Sequence, residues 1–391
     1  MENIWSSNKY MNLCINILLF LVGVNFLHYG QLILPVICFL LFVDRKMKFY
    51  VNSPMTFVVL CLFAISFYYF SVKDFYCVMG FTLPMAYYIG CNIHEVNEEK
   101  IMKVIFLLAL SMGLHVILNA IIEAILHGYH GFFFSTTHYD FWTREKISNT
   151  ATAINADLLI GCLYHLFFHE KNKKIRVLCF VVLVLSMFYL MVIGRRTPVM
   201  MLGISFVLSF VYEMFVLRSG SEKLRKSFLI AVGSMTGFVL LLILVYSLNL
   251  FQLQEKLIGF HIIRKFTQGF INDRRISLYL GSFPLMPKYL WGGQHISKIL
   301  GEQVHDFWID IYDYAGIVSF LIMVVYSLIY LKDMIRFFRS KASDRLKIMM
   351  VGVLSCVVMQ MFLEPVMTGA SLFLIIAIMI HGMFERLNHE R

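Results

Sequence analysis

The sequence predicts an all-α polytopic membrane protein, a bundle of about twelve transmembrane helices, and three observations predict it. Of the 391 residues, 59% are hydrophobic and only 15% charged, where a soluble domain holds about 45–50% and about 25%. Apolar windows long enough to cross a bilayer recur along the whole chain. Lysine and arginine gather in alternate connections between those windows. The length suits one transmembrane bundle, residues 1–391, better than several domains.

The polar lead-in Met1–Tyr10 is short, and the apolar run after it has no small-residue cleavage site. It therefore reads as an uncleaved first span and not as a signal peptide. Windows of about 20 apolar residues place spans near 10–27, 29–43, 54–71, 75–92, 101–125, 151–168, 177–194, 197–217, 228–250, 306–330, 347–364 and 370–385. The turn at His28–Gln31 is tight and the second span short, which also suits a re-entrant hairpin. With twelve spans, the connections 44–48, 169–176, 218–226 and 332–347 share one side. Together with Lys9, Lys100, Lys103, Arg386 and Arg391 they give that side 22 of the 34 Lys and Arg residues. Positive charge is retained in the cytoplasm, so both termini are expected there.

The net charge of +10 is then a consequence of topology. It calls for membrane lipid headgroups, not nucleic acid, as the partner of the basic runs. All eight cysteines fall within apolar runs, where a thiol behaves as a small hydrophobe. None has metal or disulfide spacing, so no metal and no cofactor is expected from them.

On the opposite, outer side two connections are long, 126–150 and 251–305, and loops beyond about 12–15 residues are usually functional or disordered. Residues 251–305 are too apolar and aromatic for disorder, and 252–271 reads as an amphipathic interfacial helix with Leu253, Leu257, Phe260 and Ile263 on one side. The loop 127–146 holds His127, His130 and His138 among aromatics, with Asp140 and Arg144. H-x-x-H alone is a weak metal signal; the aromatic faces with Asp140 and Arg144 would serve to hold sugar rings or to dock at the headgroups, and packing at the interface is the favoured reading. Glu123, Asp157 and Glu364 are carboxylates in or near spans on the outer half, candidates for function by their position alone.

The stretch "MVIGRRTPVMML" puts Arg195 and Arg196 side by side between two apolar runs, although an arginine inside a span costs roughly 2.5–3.5 kcal/mol. In this topology the pair lies at the outer end of span 7, against the positive-inside trend. The long loop adds Asp273, Arg274, Arg275, Tyr279 and His295, and His305-Asp306 leads into span 10. A guanidinium fork matches phosphate oxygens in bidentate geometry and stays charged. Two forks suit a pyrophosphate at headgroup level. A histidine titrating near neutrality can accept a hydroxyl proton. The plainer readings are snorkelling for Arg195 and Arg196, a loop salt bridge from Arg274 or Arg275 to Asp273, and an interfacial His305 bonded to Asp306 or Asp310.

With these residues in view, the chain resembles the O-antigen polymerase and O-antigen ligase superfamily of bacterial inner membranes. The shared marks are Gly194-Arg195-Arg196-Thr197, then Arg275, Tyr279, Pro284 and Gly292-Gly293, then His305 with Gly316 eleven residues later. They cover roughly 190–330 by motif and the whole chain by topology. This sequence departs from the pattern in having Asp306 where Asn is common, Tyr279 where Trp is common, and both arginines doubled. Arg196 is matched by its following Thr197, and Arg275 by its spacing to Tyr279.

The resemblance implies a GT-C-like, metal-independent membrane glycosyltransferase using an undecaprenyl-pyrophosphate-linked oligosaccharide. Arg196 and Arg275 would hold the pyrophosphate and His305 would orient or deprotonate the acceptor hydroxyl. Arg195, Arg274, Asp273, Tyr279, His295 and Asp306 would line the substrate site. A chain-length regulator protein is a further partner it implies. A polymerase acting on lipid-linked repeat units is the expected activity. A ligase with lipid A–core as acceptor is the nearest alternative, and a lipid-linked oligosaccharide flippase is the alternative of another class.

Overall fold

The computed structural model describes residues 3–71, 78–93, 97–134, 138–217, 226, 233 and 274–389. Among these, helix dominates. The first half comprises α1 (Asn3–Gly23), α2 (Leu34–Asp44), α3 (Pro54–Phe70), α4 (Thr82–Asn92) and α5 (Glu98–Phe134). Then come α6 (Asn149–Ile154), α7 (Asp157–Phe168), α8 (Lys173–Val192) and α9 (Thr197–Val211). The second half has α10 (Arg274–Ser282), α11 (His295–Leu300), α12 (Phe307–Arg339), α13 (Asp344–Leu363), α14 (Val366–Gly369) and α15 (Ser371–His389). One small antiparallel hairpin, β1 (His138–Tyr139) with β2 (Lys146–Ile147), pairs His138 with Ile147.

Six helices among the described residues are long and apolar enough to cross a membrane: Glu98–Gly128, Asn149–Phe168, Lys173–Val192, Thr197–Leu217, Phe307–Arg339 and Asp344–Leu363. Shorter apolar helices occupy Tyr10–Gly23, Gly30–Asp44 and Pro54–Phe70. Each lies on a span expected from the sequence. The expected span at 228–250 and the interfacial helix at 252–271 lie outside the described residues. So do the start of the span at 75–92 and most of the basic connection 218–226.

Local chemistry sets the helix ends. Ser53, Asn172 and Ser343 cap α3, α8 and α13 through side-chain oxygens, satisfying backbone amides that have no intrahelical partner. Pro54, Pro198 and Pro35 sit in first turns, where proline needs no amide hydrogen. Glu98 begins α5 and also accepts the Ser343 amide, tying two connections at one end of the helical layer. The helix α5 runs past the expected boundary at residue 125 and breaks only at Gly128, whose φ of 63° is left-handed. The helix therefore takes up the first part of the connection 126–150, and the small hairpin at 138–147 a later part.

The core lies where backbones approach closely. A Cβ on Gly352 would fall 2.1 Å from the Gly161 carbonyl oxygen, and one on Gly90 would fall 2.0 Å from that of Met379. These contacts clamp α7 to α13 and α4 to α15, the small-residue packing that membrane helices use when lipid supplies no hydrophobic drive. The span 149–168 is 83% buried, whereas 173–192 and 197–217 are 39% and 22% buried. The last two therefore form an apolar outer wall, with Val181, Phe188 and Val207 exposed, which suits lipid rather than water.

Candidate functional site

The site grows from four chain ends at the same end of the bundle. Helix α8 stops at Val192, Gly194 takes a φ of 73°, and Pro198 starts α9. The turn between them holds Arg195 and Arg196, both half-buried. The Arg195 guanidinium donates to Thr150 Oγ1 at the start of α6, and its Nε is buried without a hydrogen-bond partner among the described residues. Burial holds the Arg195 pKa below its ordinary value, with Arg275 acting the same way and Glu364 opposing. It stays charged all the same, as guanidinium does in proteins.

The hub is Glu364. It ends α13 in an extended conformation just before Pro365, with only 2% of the residue exposed. A residue before proline is held out of the helical region, and this turns the carboxylate away from the α13 axis. Arg275 Nη2 donates to its Oε1 at 2.8 Å, and His305 Nδ1 lies 3.0 Å from its Oε2. With the Nδ1 proton given to Glu364, Nε2 is left as the basic nitrogen of His305. Glu302 Oε1 is 3.7 Å from that Nε2. Tyr279, one turn along α10 from Arg275, shares its hydroxyl between the carbonyl oxygens of His305 and Phe362. That fixes α10, which carries Arg275, to the end of α13.

A second buried carboxylate lies one helical turn inward. Gln360 donates to Asp157 Oδ2, while Asp157 Oδ1 has no hydrogen-bond partner among the described residues. Asp157 is in the first turn of α7, where the helix dipole favours a negative charge.

The break in α12 positions His305. Gly316 has φ 76° and ψ −175°, so Phe307–Ala315 is a short helix distinct from the long one after it. The turn 290–294 crosses at that break. Ile317 N donates to Leu290 O at 2.8 Å, and Gln294 N donates to Asp313 O at 2.8 Å. A Cβ on Gly292 would come within 2.6 Å of Gly316 N, and one on Gly316 within 2.6 Å of Leu290 O. The glycines marked at 292 and 316 are thus the two sides of one backbone crossing.

The remaining expected residues fall differently. Arg195 is coupled electrostatically to Glu364 and Arg275, and Arg196 occupies the position before α9. Arg275 pairs with Glu364; Asp273, the loop partner expected for it, lies outside the described residues, as does the side chain of Arg274. Asp306 is the N-cap of α12, accepting from Ile309 N at 2.9 Å. Burial pushes its carboxyl up to about 6 against that bond. Neither Asp306 nor Asp310 holds His305, and Asp310 binds Thr368 instead. His295 is exposed and stacked on Tyr289, ring centres 5.0 Å apart.

The aromatic loop at 127–146 forms a separate cluster. Asp140 Oδ1 accepts from Trp142 N and Thr143 N, closing the hairpin. Its Oδ2 meets His115 at 3.1 Å and His28 at 3.4 Å. Burial pushes the Asp140 carboxyl up, but the hydrogen bonds from His115 and His28 outweigh it, and the net pKa is well below the usual range. His127 and His138 each lie 3.9 Å from the Glu123 carboxylate, so His127 turns to a carboxylate on its own helix. The side chain of His130 is outside the described residues.

The sequence singled out Arg196, Arg275 and His305, with Arg195 beside them, and offered Glu364 only as a carboxylate candidate by position; the fold sets Arg275 and His305 on that carboxylate and couples Arg195 to it electrostatically. The one available signal was a glutamate before proline at the end of a span. No family model and no curated protein matches the chain.

Proposed function

We propose that the chain is a membrane glycosyltransferase that extends surface polysaccharide, an O-antigen polymerase working at the outer face of a bacterial inner membrane. One observation carries the reading: Arg195, Arg275 and His305, from three separated segments, converge on the buried Glu364. Two guanidinium groups against one carboxylate leave a net positive charge at headgroup level, which fits a lipid pyrophosphate.

In this reading the growing glycan hangs from undecaprenyl pyrophosphate, and the acceptor is the non-reducing-end hydroxyl of an incoming lipid-linked repeat unit. His305 Nε2 takes the hydroxyl proton as the oxygen attacks the anomeric carbon. The bond from that carbon to the pyrophosphate oxygen breaks, and its electron pair leaves with the pyrophosphate. Arg195 and Arg275 hold the charge that develops there. Glu364 keeps the Nδ1 proton in place and aims the Arg275 fork, so it is a positioning residue.

Deleting the gene and running surface lipopolysaccharide on a gel tests the reading. Core carrying a single repeat unit is the expected result, because supply and attachment continue while growth stops. Core with no repeat, with lipid-linked polymer accumulating, would replace this reading with a ligase that uses lipid A–core as acceptor. An unchanged ladder would overturn both.

A further inference from the structure

Toward the other end of the helical layer lies a buried group that the proposed chemistry does not use. Asp333 is on α12, roughly 25 Å along the helix from the break at Gly316. His381 and Glu385 are one turn apart on α15, and so lie on one face. The three residues are 4%, 0% and 3% exposed. One donor atom from each lies within 4.8 Å of the others. His381 Nε2 and Asp333 Oδ2 are 3.3 Å apart, which is the spacing of two ligand atoms each about 2.05 Å from a tetrahedral ion, about 3.3 Å.

Each of the three is also held from behind. The Tyr326 hydroxyl is 3.0 Å from His381 Nδ1, leaving Nε2 toward Asp333. Tyr87 donates to Glu385 and itself accepts the Ser53 amide. Arg336, on the exposed rim, reaches the other oxygen of Asp333 at 3.6 Å. Oxygen partners on the far nitrogen of a ligating histidine and behind ligating carboxylates are the outer shell that metal sites require. Around them the surroundings are apolar, with the Phe384 ring centre 5.1 Å from that of His381 and 5.6 Å from that of Phe337. Two carboxylates side by side in such a place need compensating charge, and Arg336 supplies part of it only from the exposed rim, on the Asp333 side. Tyr330, its ring 4.7 Å from His381, has a buried hydroxyl with no hydrogen-bond partner among the described residues.

We infer that Asp333, His381 and Glu385 bind a divalent transition-metal ion, which clasps α12 to α15. One imidazole nitrogen and two carboxylate oxygens favour a borderline ion such as Zn2+. The ion neutralises the carboxylate pair and leaves a fourth position open. It sits far from Glu364 and takes no part in the transfer step.

The full chain, purified in detergent without chelator, is assayed for metal content by mass spectrometry, then stripped and titrated with Zn2+ and with Co2+. About one ion per chain is expected, with visible Co2+ absorption bands. Asp333→Asn and Glu385→Gln abolish those bands, and His305→Gln keeps them. Tyr326→Phe, which leaves all three ligands in place, weakens Zn2+ binding about 10–100-fold. A wild-type chain that binds neither ion overturns the inference, as does unchanged binding in both carboxylate variants. Because the readout is bound metal and not polymer, this result stands apart from the fate of the glycosyltransferase reading.

Discussion

At Arg275, charge and shape make separate demands. A lysine there keeps a cation beside Glu364 but gives up the planar fork that could hold a carboxylate on one edge and phosphate oxygens on the other. Arg275→Lys is therefore expected to lower polymer formation about 100-fold, the scale of losing one donor to a developing anion. Glu364→Gln should lower it as well, by freeing both Arg275 and His305 from one atom pair. Polymer chains of normal abundance and length from Arg275→Lys, scored on a gel, would remove Arg275 from the pyrophosphate role. The neighbouring Asp306 makes a different case. It stands next to His305 in sequence, yet its carboxylate is spent on the Ile309 amide as a helix cap. Sequence adjacency could not separate those two jobs, because the direction of each side chain is set by where α12 begins. The doubled arginines posed the same problem. A following threonine favoured Arg196, while the turn at Gly194 delivers Arg195 to Thr150.

Among elements, the broken helix at Gly316 carries the most consequence. Its φ and ψ of 76° and −175° lie in a region essentially reserved for glycine, and another residue there costs of order 1–3 kcal/mol. A methyl group would also meet the Leu290 carbonyl at 2.6 Å. Gly316→Ala should thus lower the thermal stability of the purified chain by about 1–3 kcal/mol. It should also open the 290–294 turn to protease and reduce activity with it, since His305 hangs on the short helix before the break. Gly301→Ala is the control: its φ of 77° is also left-handed, but nothing lies within 4 Å of the added methyl. With ψ 3° it sits in the αL region, which costs an alanine roughly 1–2 kcal/mol, and the change does not displace the crossing. Equal loss of the turn in both variants would show that backbone strain alone, and not the crossing, governs this region. The sequence carried these glycines as marks with a spacing, and the reason for the spacing needed the contact between 292 and 316. Helix positions were legible because length, apolarity and caps are local properties. Glu364 was legible as a candidate position but its partners were not, because they stand 89 and 59 positions away in the chain.

For the whole molecule, the site constrains how the chain is threaded. Arg195 lies in the turn just before α9, and the helix from Thr197 to Leu217 carries the chain about 30 Å away. At the far end Tyr212 packs on Phe338, ring centres 5.4 Å apart, near the end of α12 remote from His305. Yet Arg275 is back beside Glu364 at the starting end. The residues between 217 and 274 lie almost wholly outside the described ones, and the sequence expects the apolar window 228–250 to make the return. That expected span sets the basic run 218–226 and the turn at Gln294 on opposite sides. The positive-inside trend predicts the first in the cytoplasm and the second outside. A topology reporter fused after Arg225 is expected to read cytoplasmic, and one after Gln294 external. Two reporters on the same side would break the convergence of Arg195 with Arg275. A complete reversal would keep that convergence but turn the arginines toward the cytoplasm, where an outer-face polymerase would have no lipid-linked chain to extend.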